Sequence, residues 1–124
     1  TDGVTLNQNR LLADAKRSVI ELAEKGYTQP AMRNDITVLG RGALGTIYSG
    51  ITAMKYGHFA SDHDELIARK LAWVMCGGDL TSPQKVSEQY LLDLEREAFL
   101  SLVTTKKSME RIQSILTTGK PLRN

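Results

Sequence analysis

Residues 94–124 have the sequence LEREAFLSLVTTKKSMERIQSILTTGKPLRN, which predicts two amphipathic helices, a short turn between them and a basic end. In the first helix Ala98 and Leu102 are four residues apart and therefore share one helical face. Phe99 lies on an adjoining apolar stripe, which makes that face wide. Gly119 is followed by Lys and Pro, a combination typical of a helix end. This stretch therefore indicates an α-helical domain.

Apolar residues recur at helical spacing upstream as well and predict three further helices. These helices cover about residues 7–25, 43–56 and 62–76. The side chains expected to face a core are Leu12, Ala15, Val19 and Leu22 in the first helix, Leu44, Ile47, Ile51 and Met54 in the second, Ile67, Leu71, Val74 and Met75 in the third, and Met109, Ile112, Ile115 and Leu116 in the last. In the second helix, Gly45 and Gly50 predict a closely packed neighbour, because glycine lowers helix propensity. We expect residues 94–103 to belong to the central helix, because its apolar face is the widest.

The predicted fold class is all-α: a compact, bundle-like single domain of about five amphipathic helices that covers residues 1–124. At most one short extended segment is expected, near Ile36–Val38, where β-prone residues cluster. Ser61 is the expected N-cap of the third helix, Ser87 or Ser82 that of the fourth, and Thr104 or Thr105 that of the last one. Residues 79–85 are expected to form a loop.

The composition excludes several functional classes. The chain has 16 basic and 14 acidic residues in 124, and the two signs alternate, which argues against a nucleic-acid-binding surface. Cys76 is the one cysteine, so no internal disulfide forms and a reducing cytoplasm is the expected location. No apolar run approaches the roughly 20 residues of a membrane span. The sequence starts without Met and in the middle of a sequence pattern, with no recognisable N-terminal start. We therefore expect a piece of a longer protein.

A glycine-rich motif, GRGALG, runs from Gly40 to Gly45 and matches the G-x-G-x-x-G pattern of dinucleotide-binding loops. It follows the β-prone Ile36–Val38 and precedes a helix, as such a loop requires. However, the acidic residues about 20 positions later open a helix instead of ending a second strand, and no further strands are predicted. The favoured interpretation is a glycine-rich entry into a closely packed helix, and nucleotide binding is the less favoured alternative.

Residues 58–65, HFASDHDE, contain the side chains of a possible metal site: His58, Asp62, His63 and Asp64. Zinc requires three or four converging ligands, whereas these side chains point in different directions around a turn and a helix start. We therefore expect capping residues and no metal ligands. Cys76 is expected to be a small buried hydrophobic residue, because it lies in the apolar end of a helix.

No pattern in the chain predicts a catalytic centre. Glu95 and Glu97 are two residues apart and so lie on different sides of one helix, which suits surface or interface charges better than an acid–base pair. No Ser/His/Asp combination with suitable spacing is present. The residues therefore predict no catalytic side chains in this chain.

The sequence nevertheless resembles one family of enzymes. Phe99, Thr105, Glu110 and Lys120 stand where crotonase (enoyl-CoA hydratase) superfamily members have a phenylalanine, a Thr-containing turn, an amphipathic helix and a lysine-rich end. Residues 88–92, EQYLL, and 119–124, GKPLRN, resemble the C-terminal region of bacterial 3-hydroxyacyl-CoA dehydrogenase/enoyl-CoA hydratase proteins of fatty-acid β-oxidation. This resemblance covers nearly the whole chain and is strongest from Ser87 onward.

The resemblance implies a role inside a bifunctional enzyme. The intact protein would hydrate a trans-2-enoyl-CoA and oxidise the 3-hydroxyacyl-CoA product with NAD. In this family the oxyanion hole and the catalytic glutamates belong to a preceding core, so the resemblance implies a segment that is not catalytic by itself. The implied partners are the upstream hydratase core, acyl-CoA through the parent protein, and a second subunit in a homo-oligomer. The alternative is a stand-alone helical interaction module.

Two residues are candidates for contact with coenzyme A, and both follow from the resemblance alone. The terminal helices of the family present an aromatic ring and a lysine to the CoA of a neighbouring subunit. Phe99 matches the aromatic position, although a large aromatic residue on an apolar stripe is also a typical core residue. Lys120 matches the lysine, with Thr118 as the alternative at the same place.

Overall fold

The computed structural model describes residues 3–124. Contacts within the chain group it into two compact units, a first that ends at Ala31 and a second that extends from Met32 to Asn124. The predicted fold class is confirmed, because five α-helices account for most of the described residues. Across residues 3–124, no helix is both long enough and apolar enough to cross a membrane.

The first unit contains helix α1 (Leu11–Glu24), which follows a short 3₁₀ turn (Gln8–Arg10). The predicted end at Gly26 is confirmed: this glycine has a φ of 75°, and the N–H of Tyr27 donates to the carbonyl of Leu22 at 3.0 Å. The predicted apolar stripe is not buried, because every residue of α1 is at least partly exposed to solvent. The periodicity is therefore helical, but its apolar face is open.

The second unit contains four helices and a small sheet. The helices are α2 (Gly40–Tyr56), α3 (Asp62–Met75), α4 (Glu88–Val103) and α5 (Lys106–Thr118). Strand β1 (Ile36–Val38) pairs antiparallel with strand β2 (Gln84–Val86), with Thr37 opposite Lys85. Strand β1 lies at the one predicted extended segment, whereas β2 occupies part of the region predicted as a loop. Its sequence, QKV, carries little β-pattern of its own, so β2 depends on its partner.

Three of the helices begin at the predicted capping side chains. The Ser61 Oγ accepts from the N–H of Asp64 at 3.1 Å, and the Asp64 carboxylate accepts from the N–H of Ser61 at 3.0 Å, which completes a capping box. Ser87 caps α4, and Thr105 caps α5. Helix α2 begins three residues before its predicted start and has no side-chain cap.

The core of the second unit is small and centred on α3. Leu44, Ala72 and Cys76 form a buried cluster, against which Tyr48 and Trp73 pack. The most extensive helix contacts are those of α3 with α2 and with α4. The prediction of α4 as the central helix is therefore wrong, because α3 occupies that place. Helix α4 carries the wider apolar face, but much of that face is exposed.

The turn after α3 is where several elements meet. The N–H of Gly40 donates to the carbonyl of Cys76 at 2.9 Å, and the N–H of Arg41 donates to the carbonyl of Leu80 at 2.8 Å. Gly77 has a φ of 88°, and a Cβ there would lie 2.6 Å from a methyl carbon of Val38. We call residues 76–80 the α3 turn. It joins the start of α2, strand β1 and the end of α3.

Candidate functional site

An apolar groove lies between α3 and α4 in the second unit. Its volume is about 400 Å³. The apolar lining consists of Ile67, Leu71, Val74 and Met75 from α3, and Leu91, Leu92, Ala98, Phe99 and Leu102 from α4. These side chains recur at spacings of three and four on both helices, so each helix contributes one continuous stripe. We call this feature the α3–α4 groove.

The two helices that form the groove run antiparallel. At the end of α3, the Tyr90 hydroxyl donates to the carbonyl of Gly77 at 3.0 Å, so this end lies against the first half of α4. At the start of α3, His63 contacts Ser108 in α5, the helix that follows α4. Phe99, in the second half of α4, therefore lies towards the start of α3. Glu88 lies at the opposite end, near the α3 turn.

Two predicted core residues line this groove and are open to solvent. Leu71 is 61% exposed and Met75 is 71% exposed. The prediction that they are buried is wrong, because α3 buries a neighbouring face, which carries Ala72 and Cys76, against α2. An apolar stripe in a sequence predicts which face of a helix packs against a partner, but it does not identify that partner.

Charged side chains border the apolar groove. Lys70 stands on the α3 side, with its Nζ 5.9 Å from the centroid of the Trp73 ring. Glu88 and Glu95 stand on the α4 side, seven residues apart on the same helical stripe. The Glu88 carboxylate accepts from the N–H of Arg33 at 3.4 Å. The rim thus has one cation facing two carboxylates.

The structure separates the two candidate CoA-binding residues. Phe99 is 58% exposed and lines the α3–α4 groove, so its interpretation as a core residue is wrong. Lys120 lies beyond the end of α5, is exposed, and is not among the residues that line the groove. Its main-chain oxygen accepts from the Ser114 hydroxyl at 3.0 Å. Contact of either residue with CoA stays a prediction.

A polar cluster ties the start of α3 to α5 and to the chain beyond it. The Arg111 Nη1 donates to the Asp64 carboxylate at 2.7 Å, and its Nε donates to the side-chain oxygen of Asn124 at 2.8 Å. The Ser61 hydroxyl donates to the main-chain oxygen of Asn124 at 3.1 Å. The pKa of Asp64 is lowered to about 2, because the Ser61 N–H and then Arg111 stabilise its charged form.

The four side chains of the possible metal site go to different partners. His63 is buried, with its Nε2 2.9 Å from the Ser108 Oγ. Asp62 pairs with Lys55 at 2.9 Å, and Asp64 belongs to the polar cluster. His58 is exposed in the turn after α2 and has a φ of 60°. Within residues 3–124, no group of three or more potential ligands converges.

The glycine-rich motif is used for packing in this fold. The first two N–H groups of α2, those of Gly40 and Arg41, donate to main-chain carbonyls of the α3 turn. A Cβ at Gly40 would lie 2.9 Å from the carbonyl oxygen of Leu80. A pyrophosphate would need those N–H groups and that space, so the motif does not fit NAD. By contrast, nothing described lies within 4 Å of a Cβ at Gly45 or Gly50, so the predicted close neighbour at those two positions is absent from residues 3–124.

The remaining residues considered as candidate catalytic groups are Cys76, Glu95 and Glu97. Cys76 is 2% exposed and belongs to the buried cluster, which confirms its interpretation as a small buried hydrophobic residue. Glu97 is exposed, and Glu95 lies on the rim of the groove. Arg111 and Asn124 were not predicted as site residues, because nothing local connects them with Asp64, which is 47 positions from Arg111. For the groove, the excess width of the apolar faces was the available signal.

The fold and the groove define a class: a helical segment that exposes an apolar groove with charged side chains along its rim. Over all of its 124 residues the chain is 42% identical to a protein of Bacillus subtilis (strain 168) described as "Probable 3-hydroxyacyl-CoA dehydrogenase". The predicted resemblance to 3-hydroxyacyl-CoA dehydrogenases is thus confirmed. The chain spans 16% of that relative, so most of the relative lies outside the matched segment. No family model and no solved structure matches the chain. The hydratase and crotonase part of the resemblance stays a prediction.

Proposed function

We propose that this chain is a helical structural domain of a bifunctional 3-hydroxyacyl-CoA dehydrogenase/enoyl-CoA hydratase. In this proposal it covers the acyl-CoA site, supports assembly of the enzyme in the cytoplasm and carries no catalytic side chain. The observation that carries the proposal is the α3–α4 groove, whose apolar side chains remain open to solvent. Apolar surface of this kind is typical of a face that another part of a protein covers. The similarity to a segment of a probable 3-hydroxyacyl-CoA dehydrogenase supports this kind of parent.

The parent would perform two reactions on one acyl chain. Hydration of an enoyl-CoA requires donors for the thioester enolate and a carboxylate that handles the proton of water. Oxidation of the 3-hydroxyacyl-CoA requires NAD as the hydride acceptor. In the proposal these groups belong to the rest of the enzyme. The N–H groups at the start of the GRGALG motif already donate to main-chain carbonyls of this chain and are not free to bind NAD.

Phe99 and Lys120 are proposed to contact CoA in the assembled enzyme. The ring of Phe99 is exposed at one end of the groove, which makes it available for stacking or apolar contact. Lys120 is exposed beyond α5 and suits a phosphate group as a point charge. The residues lie on separate surfaces of the chain, so each is tested by its own variant.

The test uses the full-length parent enzyme and two substrates with the same acyl group. One is the enoyl-CoA, and the other is the enoyl thioester of N-acetylcysteamine, which lacks the nucleotide part of CoA. Phe99→Ala and Lys120→Ala are each expected to raise KM severalfold for the enoyl-CoA and to leave KM for the short thioester unchanged. Leu100→Ala is the matched control, because Leu100 is the next residue of α4, is similarly exposed and does not line the groove. Equal effects on both substrates would refute contact with CoA.

A second experiment separates this proposal from the stand-alone interaction module. The 124-residue chain is assayed for enoyl-CoA hydration and for NAD-dependent oxidation, and no turnover is expected in either assay. It is then sedimented alone and with the remainder of the parent. Docking to the remainder supports the structural domain. Self-association without docking supports the independent module, and measurable turnover contradicts the assignment of catalysis to the rest of the enzyme.

A further inference from the structure

The charges of the α3–α4 groove restrict what can fill it. Glu88 and Glu95 lie on the same stripe as Leu91 and Leu92, and seven residues of helix separate the two glutamates by about 10 Å. An acyl chain alone would bring no cation to either carboxylate, although Glu88 already accepts a hydrogen bond from the N–H of Arg33, and the phosphates of an acyl-CoA would be repelled by both. The groove therefore suits an occupant that is apolar along its centre and basic along one edge.

The shape of the groove favours a helix as that occupant. Its walls are two antiparallel helices, and its apolar stripe on α4 extends from Leu91 to Leu102, which is about 16 Å of helix. Amphipathic helices bind such grooves through apolar anchors at positions i, i+3 or i+4, and i+7. Basic residues two turns apart on the inserted helix would face the two glutamates, and an acidic residue on the other edge would face Lys70.

We propose that the α3–α4 groove receives an amphipathic helix from the remainder of the parent enzyme, with apolar side chains on Leu71, Met75 and Leu92 and basic side chains on Glu88 and Glu95. This inference rests on the proposed function, because it takes the occupant from the same protein. The Bacillus relative has most of its length outside the segment that this chain matches, which supplies the necessary polypeptide. Phe99 lies one turn beyond Glu95, so in this proposal the inserted helix ends beside Glu95 and leaves Phe99 available to CoA.

The first test is photo-cross-linking in the full-length enzyme. A photoreactive amino acid replaces Met75 in the groove or, as the control, Leu116, which is 76% exposed on α5 and outside the groove. The adduct formed from position 75 is expected to map to one segment outside these 124 residues. That segment should have helical spacing of apolar residues and two Lys or Arg residues seven positions apart. Adducts with a second copy, with a segment of another pattern, with many segments or with solvent alone would each overturn the proposal.

The second test reverses one charge. Glu95→Lys is expected to lower the adduct yield from position 75 about tenfold, because it places like charges together in the interface. Reversal of the basic residue captured opposite it should restore the yield. Glu97→Lys is the control, because Glu97 is exposed on α4 outside the groove. A yield that responds equally to both variants would contradict the charge pairing.

The two proposals can fail separately. If position 75 captures the expected helix while Phe99→Ala leaves KM for enoyl-CoA unchanged, the groove assignment stands and contact of Phe99 with CoA fails. If Phe99→Ala raises KM for the enoyl-CoA alone while position 75 captures no helix, the proposed CoA contact stands and the helix-docking inference fails.

Discussion

His63 and Ser108 form a buried polar pair between α3 and α5. His63 is 4% exposed, and its Nε2 lies 2.9 Å from the Ser108 Oγ. Ser108 also follows the capping residue Thr105 in the first turn of α5. A buried imidazole without a hydrogen-bond partner carries a desolvation penalty, so this contact holds the two helix starts together.

Removal of the Ser108 hydroxyl is expected to destabilise the chain. Ser108→Ala leaves the His63 Nε2 without its partner, at a cost of about 1–3 kcal/mol in the free energy of unfolding. Ser101→Ala is the matched control, since Ser101 is an exposed residue whose hydroxyl donates to the Ala98 carbonyl of its own helix. Its effect should stay within about 0.5 kcal/mol. Urea denaturation of the 124-residue chain measures both, and equal effects would contradict a special role for the pair.

The same histidine predicts a pH dependence. Burial, followed by the nearby charges of Arg111 and Lys107, lowers the pKa of His63, and the Asp64 carboxylate opposes this only weakly. The unfolded chain, with a histidine pKa of about 6.5, therefore takes up protons before the folded chain does. Stability should be fully present above pH 6.5 and fall progressively as the pH drops below it.

The measurement is the urea midpoint at several pH values between 7.5 and 5. His63→Gln is expected to flatten the curve in this window. Asp64 does not interfere, because its pKa is lowered to about 2 in the folded chain, so its stabilisation is lost only below about pH 5. A variant curve as steep as that of the natural chain would assign the pH dependence to other groups.

At the scale of elements, the glycines of the GRGALG motif have different environments. Gly40 has a φ of 69° and touches the α3 turn, whereas nothing described lies within 4 Å of a Cβ at Gly42. Gly40→Ala should therefore cost at least about 1–3 kcal/mol through backbone strain and the contact with Leu80. Gly42→Ala should stabilise α2 by up to about 1 kcal/mol, because alanine favours helix. Thermal unfolding of both variants gives the comparison, and destabilisation by both would contradict the described environment of Gly42.

The elements also show how far the sequence could be interpreted. The caps Ser61 and Thr105 were predictable because each acts within its own first turn. Strand β2 was not, since its hydrogen bonds go to β1, about 48 positions earlier in the chain. The early start of α2 was missed for the same reason: its first N–H groups are satisfied by the α3 turn and not by a local side chain. Hydrogen-bond partners that are distant in the sequence do not change the local spacing of residues from which elements are predicted.

For the site, periodicity located the helices and their apolar faces but not what covers them. Leu71 and Met75 have the spacing of core residues and yet face an open groove. Phe99 likewise matched both a core position and a binding position, and only the packing of α3 against α2 and α4 separates these interpretations. The charges on the rim become informative only when the two helices are placed side by side.

At the scale of the whole molecule, few large apolar side chains are fully enclosed. Among residues 3–124 the buried apolar residues are Val38, Leu44, Ala72, Cys76 and Ala98. Burial of a single large side chain stabilises by about 1.5–3 kcal/mol, so a core of this size gives modest stability. We expect docking onto the parent to add a large share of the stability, because a partner that binds only the folded form stabilises it.

This division between enclosed and open apolar residues can be measured. Leu71→Gln should change the free energy of unfolding of the 124-residue chain by no more than about 0.5 kcal/mol, because its side chain is already in solvent. Leu44→Ala, in the buried cluster, should cost about 2–5 kcal/mol. If the two variants lose similar stability in denaturant titrations, Leu71 is part of the core after all.

The position of Cys76 has a practical consequence. Its thiol is enclosed at the α3 turn, where the start of α2 is also fastened through the carbonyl of the same residue. A thiol reagent can reach the sulfur only when this junction opens locally. The rate of labelling therefore reports the frequency of that local opening. Because the chain has one cysteine, the labelling rate reports on this one site, and no cysteine has to be introduced.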